Sequence, residues 1–248
     1  MVRAAFVQEY GPGRMAPEMR AVLDVLRARD VPVEPFTAKR LERRQLPLSR
    51  DTLVAGDVPT VLCALKLLGL EPPPTRDYPS SLTALLCRRV WPSTVRQLKA
   101  QVLQGSAGPV FAKPGERRKR FTGHVFRDVD DLLALESASA STPLWCSEVV
   151  EWRSEFRVFV IHGVIVGVRH YAGDPTVRLD DARVAEAVAT LASAGEGTAG
   201  YAVDFGVLST GETALVEWND GFSLGAYGLP PEEYTRLTVA RWCELMGA

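Results

Sequence analysis

The sequence predicts an α/β protein that passes into α+β in its C-terminal part. Two observations carry this: apolar residues alternate between strand and helix spacing through residue 70, and strand-like runs dominate from residue 109 onward. The proline-rich segment Glu71-Pro72-Pro73-Pro74 interrupts the first pattern before the second begins. Strands are expected at 2–8, 32–36 and around 52–55, with helices at 17–29, where Met19, Val22, Leu23 and Leu26 recur at helical spacing, and at 60–68, closed by Gly69. Such alternation implies a small parallel sheet covered by helices. More helix is expected over 81–104, with a domain boundary between 90 and 108, dividing 1–100 from 101–248. Beyond it, strands are expected at 109–113, 121–127, 145–150, 155–161, 164–170, 201–208 and 213–218, and helices near 128–137, 180–193 and 231–246.

With 248 residues, 46% of them hydrophobic and 24% charged, the composition is that of a globular protein with a sizeable core. No apolar run approaches the roughly 20 residues that span a bilayer, and the start Met1-Val2-Arg3-Ala4-Ala5 is too short and polar for a signal peptide, so a cytoplasmic protein without a membrane partner is expected. Cys63, Cys87, Cys146 and Cys243 lie far apart with no Cys-x-x-Cys spacing, which fits buried free thiols better than zinc or disulfides. His124, His162 and His170 show no paired metal spacing either. Any metal here should be held by oxygen.

Net charge is −1, but residues 1–125 carry 21 Lys+Arg against 11 Asp+Glu, while residues 126–248 carry 8 against 19. Either an anionic substrate meets a basic wall beside an acidic metal site, or two solvated surfaces attract each other.

Val110-Phe111-Ala112-Lys113-Pro114 reads as a buried strand delivering one lysine, followed by the charged loop Gly115-Glu116-Arg117-Arg118-Lys119-Arg120 and Phe121-Thr122-Gly123. A lysine fixed on a strand neutralises phosphate oxygens at low entropic cost, and a loop of this kind can close over them. Taken alone, Lys113 reads more readily as a strand-end lysine reaching solvent, and the loop as a solvated hairpin tip, though the loop also fits a nucleic-acid contact.

Two hairpins add side chains by register. A three-residue turn Ile161-His162-Gly163 would set Glu155 opposite Arg169 and Arg157 opposite Gly167, gathering two arginines and a glutamate on one face. The surplus positive charge suits a bound anion, and a surface salt-bridge ladder is the alternative. In the second hairpin, the turn through Ser209-Thr210-Gly211-Glu212 sets Asp204 opposite Glu217, with Asn219 further along the same face. Like charges directly opposed destabilise a sheet, so a cation between them is expected, and hard oxygen donors suit magnesium. The alternative is that one carboxylate pairs with an arginine or with backbone.

Taken in order, Phe-Ala-Lys-Pro at 111–114, Phe-Thr-Gly at 121–123, Ser-Glu-Val-Val-Glu at 147–151, Glu-Phe-Arg at 155–157, Val-Asp-Phe-Gly at 203–206 and Glu-Trp-Asn-Asp at 217–220 resemble the ATP-grasp superfamily. With Arg169 on the next strand, the chain resembles the clade of that superfamily named for two arginines and one lysine. The resemblance covers 109–248 and implies a two-lobed ATP-grasp-like fold, with a small lobe at about 109–151 and a large lobe at about 152–248, preceded by a small α/β parallel-sheet domain. It implies ATP held by Lys113, Lys119, Glu148, Val149, Val150 and Glu155, and Mg²⁺ held by Asp204, Glu217 and Asn219. Arg157 and Arg169 would hold the γ-phosphate, the acyl phosphate or the substrate carboxylate.

The implied reaction joins a small-molecule or peptide carboxylate to an amine or other nucleophile through an acyl phosphate, with an amino acid or peptide as the expected substrate. No protein nucleophile is required, and none is evident; His170 reads as packing or surface rather than as a base. The loop at 115–120 is basic rather than glycine-rich, and the second lysine common in the superfamily has no counterpart before Lys113. Two other readings stand beside this one: a nucleic-acid-associated ATP-binding protein using the basic segments 39–44 and 116–120, not favoured because no aromatic platform interleaves with them, and a nucleotide-binding module without turnover.

Overall fold

A computed structural model describes residues 2–105, 108–115 and 121–247. The first unit is the expected parallel sheet: β1 (Ala4–Gln8) lies between β2 (Val33–Phe36) and β3 (Thr52–Ala55), with α1 (Pro17–Ala28), the short α2 (Ala38–Glu42) and α3 (Val58–Leu67) around it. Proline in the first turn of α1 costs no backbone hydrogen bond, and Asp57 caps α3 by accepting from the Thr60 amide at 2.9 Å.

The helix expected over 81–104 is a finding against the sequence reading. That stretch holds a 3₁₀ turn at Ser80–Leu85, strand β4 (Val90–Thr94) and only then α4 (Val95–Leu103), which Thr94 caps by accepting from the Gln97 amide. β4 pairs with β7 (Pro143–Glu148), which pairs with β5 (Val110–Pro114) and through it with β6 (His124–Phe126), in the antiparallel order β4-β7-β5-β6. The expected boundary at residue 100 thus falls inside α4, between two strands of one sheet. Val90 and Trp91 are half-buried on an edge strand, and Pro92 is tolerated there because an edge strand leaves one row of donors unpaired.

The third sheet runs β11-β10-β8-β9, from β8 (Trp152–Ile161), β9 (Val164–Gly173), β10 (Gly200–Leu208) and β11 (Thr213–Asp220), all antiparallel. Every residue of β10 is buried, as befits a central strand covered on both faces. Val158, Val160, Val203 and Phe205 face α5 (Asp181–Ser193), while Phe159, Ile161 and Ala202 face α6 (Pro231–Leu245). Helix α6 also packs on α1, so the core of the first unit is continuous with that face of the third sheet.

Both hairpin registers depart from the turn-based derivation. His162 and Gly163 have φ of 48° and 76°, so the first turn has two residues with both in the left-handed region rather than three. Two irregularities along the pair then bring Arg157 opposite Arg169, not Gly167, and Glu155 opposite Ala172, not Arg169. In the second hairpin Asp204 does face Glu217, but by a different route. Near the turn Phe205 pairs with Leu215 and Val207 with Thr213, and a bulge then leaves Val216 without a cross-strand partner. Without it, Val216 would stand opposite Asp204, and Glu217 would turn to the α5 face.

The four cysteines are free, as expected, but only Cys146 is buried; the other three are half-buried because their helix and loop positions sit at the rim of the cores. No helix among the described residues is long and apolar enough to cross a membrane.

Candidate active site

The α6-facing rows of the third sheet run past the end of the helix, and there they change from apolar to charged. Ile161 and Phe159 on β8 are followed by Arg157, and Ala202 on β10 by Asp204. In place of helix, the loop 221–230 lies over these residues. It is tied to the first unit, since Ser223 Oγ donates to the Gly56 carbonyl at 2.9 Å and the Ala226 amide to Glu18 at 3.2 Å.

Arg157 and Asp204 form a buried fork: Nε donates to Oδ1 at 2.8 Å and Nη2 to Oδ2 at 2.7 Å. Burial pushes the Asp204 carboxyl above its usual range, and the guanidinium works against that shift. Burial alone would lower Arg157, and the carboxylate more than reverses it. The Arg157 guanidinium also lies 4.9 Å over the Tyr227 ring, which stacks on Tyr171. Tyr227 holds φ 45°, a strained conformation for a bulky residue, and is 48% exposed.

Glu217 reaches across to the β4-β7-β5-β6 sheet. Its carboxylate accepts from Lys113 Nζ of β5, and Asp77, in the segment before the 3₁₀ turn, holds the same nitrogen at 2.9 Å. Lys113 also lies 4.7 Å over the Tyr78 ring. Burial works to lower the Lys113 ammonium, but Glu217, Tyr78 and Asp77 together raise it well above its ordinary value. Asn219 turns its amide nitrogen onto Asp204 Oδ2 at 3.2 Å, which leaves the amide oxygen as its acceptor end. Glu155 accepts from the Tyr171 hydroxyl at 3.0 Å, and burial raises its carboxyl.

Three cavities meet at Glu217. One of about 260 Å³ is lined by Tyr78, Phe111, Lys113, Val149, Val150 and Trp152; one of about 310 Å³ by Arg157, Tyr171, Asp204 and Asn219; and one of about 620 Å³ opens toward Val58, Asp77, Phe111 and Ser223. A larger hollow of about 1010 Å³ beside His162, Arg236 and Cys243 contains none of the charged residues predicted from sequence.

Trp152 lies against Gly206, where an added Cβ would come within 2.3 Å of the indole, which accounts for the glycine of Val-Asp-Phe-Gly. Arg88 also lies over this ring, its guanidinium 5.2 Å from the centroid. Glu148 and the Arg89 backbone exchange hydrogen bonds at the cavity's edge, the Arg89 amide donating to the carboxylate at 2.9 Å.

Of the predicted residues, Lys113, Val149, Val150, Glu148, Glu155, Arg157, Asp204, Glu217 and Asn219 therefore line these connected cavities. Arg169 faces Arg157 across the strands, and its buried Nε has no hydrogen-bond partner among the described residues. Lys119 and the rest of 116–120 lie outside the described residues. His170 packs edge-on against Phe156 at 5.2 Å on the opposite face, as its position on the strand implies. Asp77, Arg88, Tyr171 and Tyr227 were not found from sequence. Asp77 follows the proline-rich segment with no motif, Arg88 falls in the stretch expected as helix and lies instead between the 3₁₀ turn and β4, Tyr171 falls one residue past the expected strand, and Tyr227 belongs to a loop with no motif.

As oxygen donors for a cation, Glu217 and Asn219 fit, and Asp204 does so where Arg157 yields part of its fork. Among the described residues no three His, Cys, Asp or Glu side chains converge as a ready-made cage.

The family described as an ATP-grasp domain, family 2 of the clade named for two arginines and one lysine, matches residues 85–237. No curated protein matches the chain. Solved structures share its fold at low identity. D-alanine–D-alanine ligase from Bacillus anthracis complexed with ATP is 16% identical, with 99% of this chain and 97% of that one covered and a TM-score of 0.59. Carboxyaminoimidazole ribonucleotide synthase from Aspergillus clavatus complexed with ATP is 14% identical over 98% and 78%, with a TM-score of 0.60. The macrocyclase MdnC bound with precursor peptide MdnA, from Microcystis aeruginosa MRC, is 12% identical over 95% and 99%, with a TM-score of 0.57.

Proposed function

Because the chain belongs to the ATP-grasp superfamily of ATP-dependent ligases, in family 2 of its two-arginine, one-lysine clade, we propose that it activates a carboxylate with ATP and joins it to an amine or a similar nucleophile. The observation that supports this best is the convergence of Lys113, Glu217, Asp204 and Arg157 where three cavities meet between two sheets. A peptide or amino-acid carboxylate is the substrate class we favour, since the fold's neighbours include a D-alanine–D-alanine ligase and a macrocyclase bound with a precursor peptide.

In this reading the adenine enters the 260 Å³ cavity between Val149, Val150, Phe111 and Trp152, and Lys113 leaves the two carboxylates for the phosphates. The substrate carboxylate attacks the γ-phosphorus, ADP departs, and the amine then attacks the acyl carbon while phosphate leaves and a proton is lost. Arg157 and Arg169 hold the anionic oxygens from one side, in a site where prepositioned cations stabilise the transferring group more than the ground state. Glu217, Asn219 and Asp204 would hold magnesium, which neutralises phosphate charge when bound. We place the first unit, up to about residue 75, as the substrate-side wall of the 620 Å³ cavity, to which it contributes Val58 and Thr75.

The test is ADP release with Mg²⁺ and a library of amino acids and peptides, comparing the parent with Glu217→Gln. The expected result is release that depends on one acid–nucleophile pair and is lost in the variant. Equal turnover by the variant would remove Glu217 from the reaction.

A further inference from the structure

Arg88 lies at the rim of the nucleotide cavity, and beside a side-chain hydrogen bond with Tyr78 its guanidinium is tied to backbone. Nη1 donates to the Leu215 carbonyl at 2.7 Å and to the Leu86 carbonyl at 2.9 Å, and Nη2 donates to the Val216 carbonyl at 3.3 Å. Its flat face rests on Trp152, which leaves the guanidinium locked between the 86–89 segment and β11. Val216 is the residue that the β11 bulge leaves without a cross-strand partner, and Leu215 is the last residue in the turn-proximal register. A bulge strands polar backbone groups, and a buried carbonyl left without a donor is destabilising. Arg88 supplies the donors, at two successive carbonyls, from a segment 127 residues away in sequence.

The bulge has a direct consequence for the charged face. It keeps Leu215 on the α5 face and still turns Glu217 toward Asp204. If β11 relaxed into the regular register set by the turn, Val216 would face Asp204 and Glu217 would point into the α5-facing core. One side is also held from the linker, because the Trp218 amide donates to the Asp77 carbonyl at 2.8 Å. That bond lies beyond the bulge and does not reach the carbonyls of 215 and 216.

We propose that Arg88 is a positioning residue that clamps the β11 bulge and thereby presents the Glu217 carboxylate to the nucleotide's magnesium. The proposal rests on the reading of Glu217 as a magnesium-side carboxylate. It makes no use of Arg88 as a nucleotide contact, and the two roles separate experimentally.

ATP affinity is measured calorimetrically for the parent, Arg88→Met, Arg88→Lys, Glu217→Gln and the Arg88→Met/Glu217→Gln double variant, each with Mg²⁺ and with EDTA. The expected result is that the ratio of ATP affinity with Mg²⁺ to that in EDTA falls about tenfold or more in Arg88→Met, as happens when outer-shell partners of metal ligands are lost. Glu217→Gln should remove the same enhancement, and the double variant should lose no more than either single one. Arg88→Lys, which keeps the charge but replaces the two-nitrogen fork with a single ammonium nitrogen, should fall between parent and Met, and serves in its place if Arg88→Met fails to fold. An equal loss of affinity in EDTA would overturn the proposal in favour of a direct nucleotide contact, and full Mg²⁺ enhancement in Arg88→Met would overturn it outright. If Glu217→Gln itself keeps the enhancement, the magnesium reading fails and takes this proposal with it, so the two failures are told apart by the Glu217 variant.

Discussion

Asp204 and Glu217 stand directly across from each other on β10 and β11, yet each is neutralised by a different cation from a different direction. Arg157 of the same sheet forks onto Asp204, and Lys113 of the other sheet reaches Glu217. Two like charges at a cross-strand pair are tolerable because each is answered separately. The two positions should therefore respond differently to substitution. Asp204→Ala leaves a buried, uncompensated guanidinium and is expected to cost about 3–5 kcal/mol of stability. Glu217→Gln leaves Lys113 its second partner Asp77 and should cost clearly less stability than Asp204→Ala. Urea denaturation of both variants checks this, and equal losses would contradict the distinction.

Lys113 is shared by two carboxylates, Asp77 and Glu217, and in the proposed reading a nucleotide phosphate would compete with both. Lys113→Met is expected to weaken ATP binding by roughly 10- to 100-fold, the worth of one charged hydrogen bond, with circular dichroism unchanged. Asp77→Asn removes one competitor and should tighten ATP binding. Titration calorimetry reads both signs, and unchanged affinity in the first variant would take Lys113 out of the site.

Gly206 admits the Trp152 indole where a side chain would collide at 2.3 Å. Gly206→Ala is expected to cost about 1–3 kcal/mol through overpacking and to close the cavity that Trp152 lines. Melting temperature and nucleotide binding should fall together, and Trp152→Leu in the same chain should restore most of the stability. A Gly206→Ala variant with parental melting temperature would refute the packing account.

Glu196 accepts from the amides and hydroxyls of both Ser80 and Ser81, at 2.5–3.2 Å, and so anchors the 3₁₀ turn that follows Asp77. Burial works to raise its carboxyl, but these four donors hold it down at about 2, from an ordinary 4.5. A carboxyl depressed in the folded state stabilises above its unfolded value, and the contribution is lost as pH falls from about 4.5 toward 2. The melting-temperature gap between the parent and Glu196→Gln should be full at pH 6 and shrink steadily below pH 4.5. A gap constant across that range would mean that the carboxylate's charge plays no part.

The elements with a strong apolar pattern were legible without coordinates, because the apolar runs of β8, β10 and β11 and the helical spacing at α1 follow from which residues must be buried. The missed strand β4 contains Trp91 and Pro92 on a sheet edge, where neither alternation nor propensity is strong. The pairing of Asp204 with Glu217 was reached from turn geometry alone, although the turn-proximal register differs by one and the bulge at Val216 restores the pairing. The same reasoning failed in the first hairpin, where irregularities move Arg157 from Gly167 to Arg169.

The order of its motifs, the parallel first sheet and the separate hairpins of charged strands were determined by the sequence itself, since they depend on residues within a few turns of chain. Which cation answers which carboxylate was decided only by tertiary structure. Arg157 closes on Asp204, Lys113 on Glu217 and Arg88 on the bulge across separations of 47, 104 and 127 residues. Local pattern cannot specify contacts that form only when strands distant in sequence pair and separate sheets pack, excluding water from the groups between them.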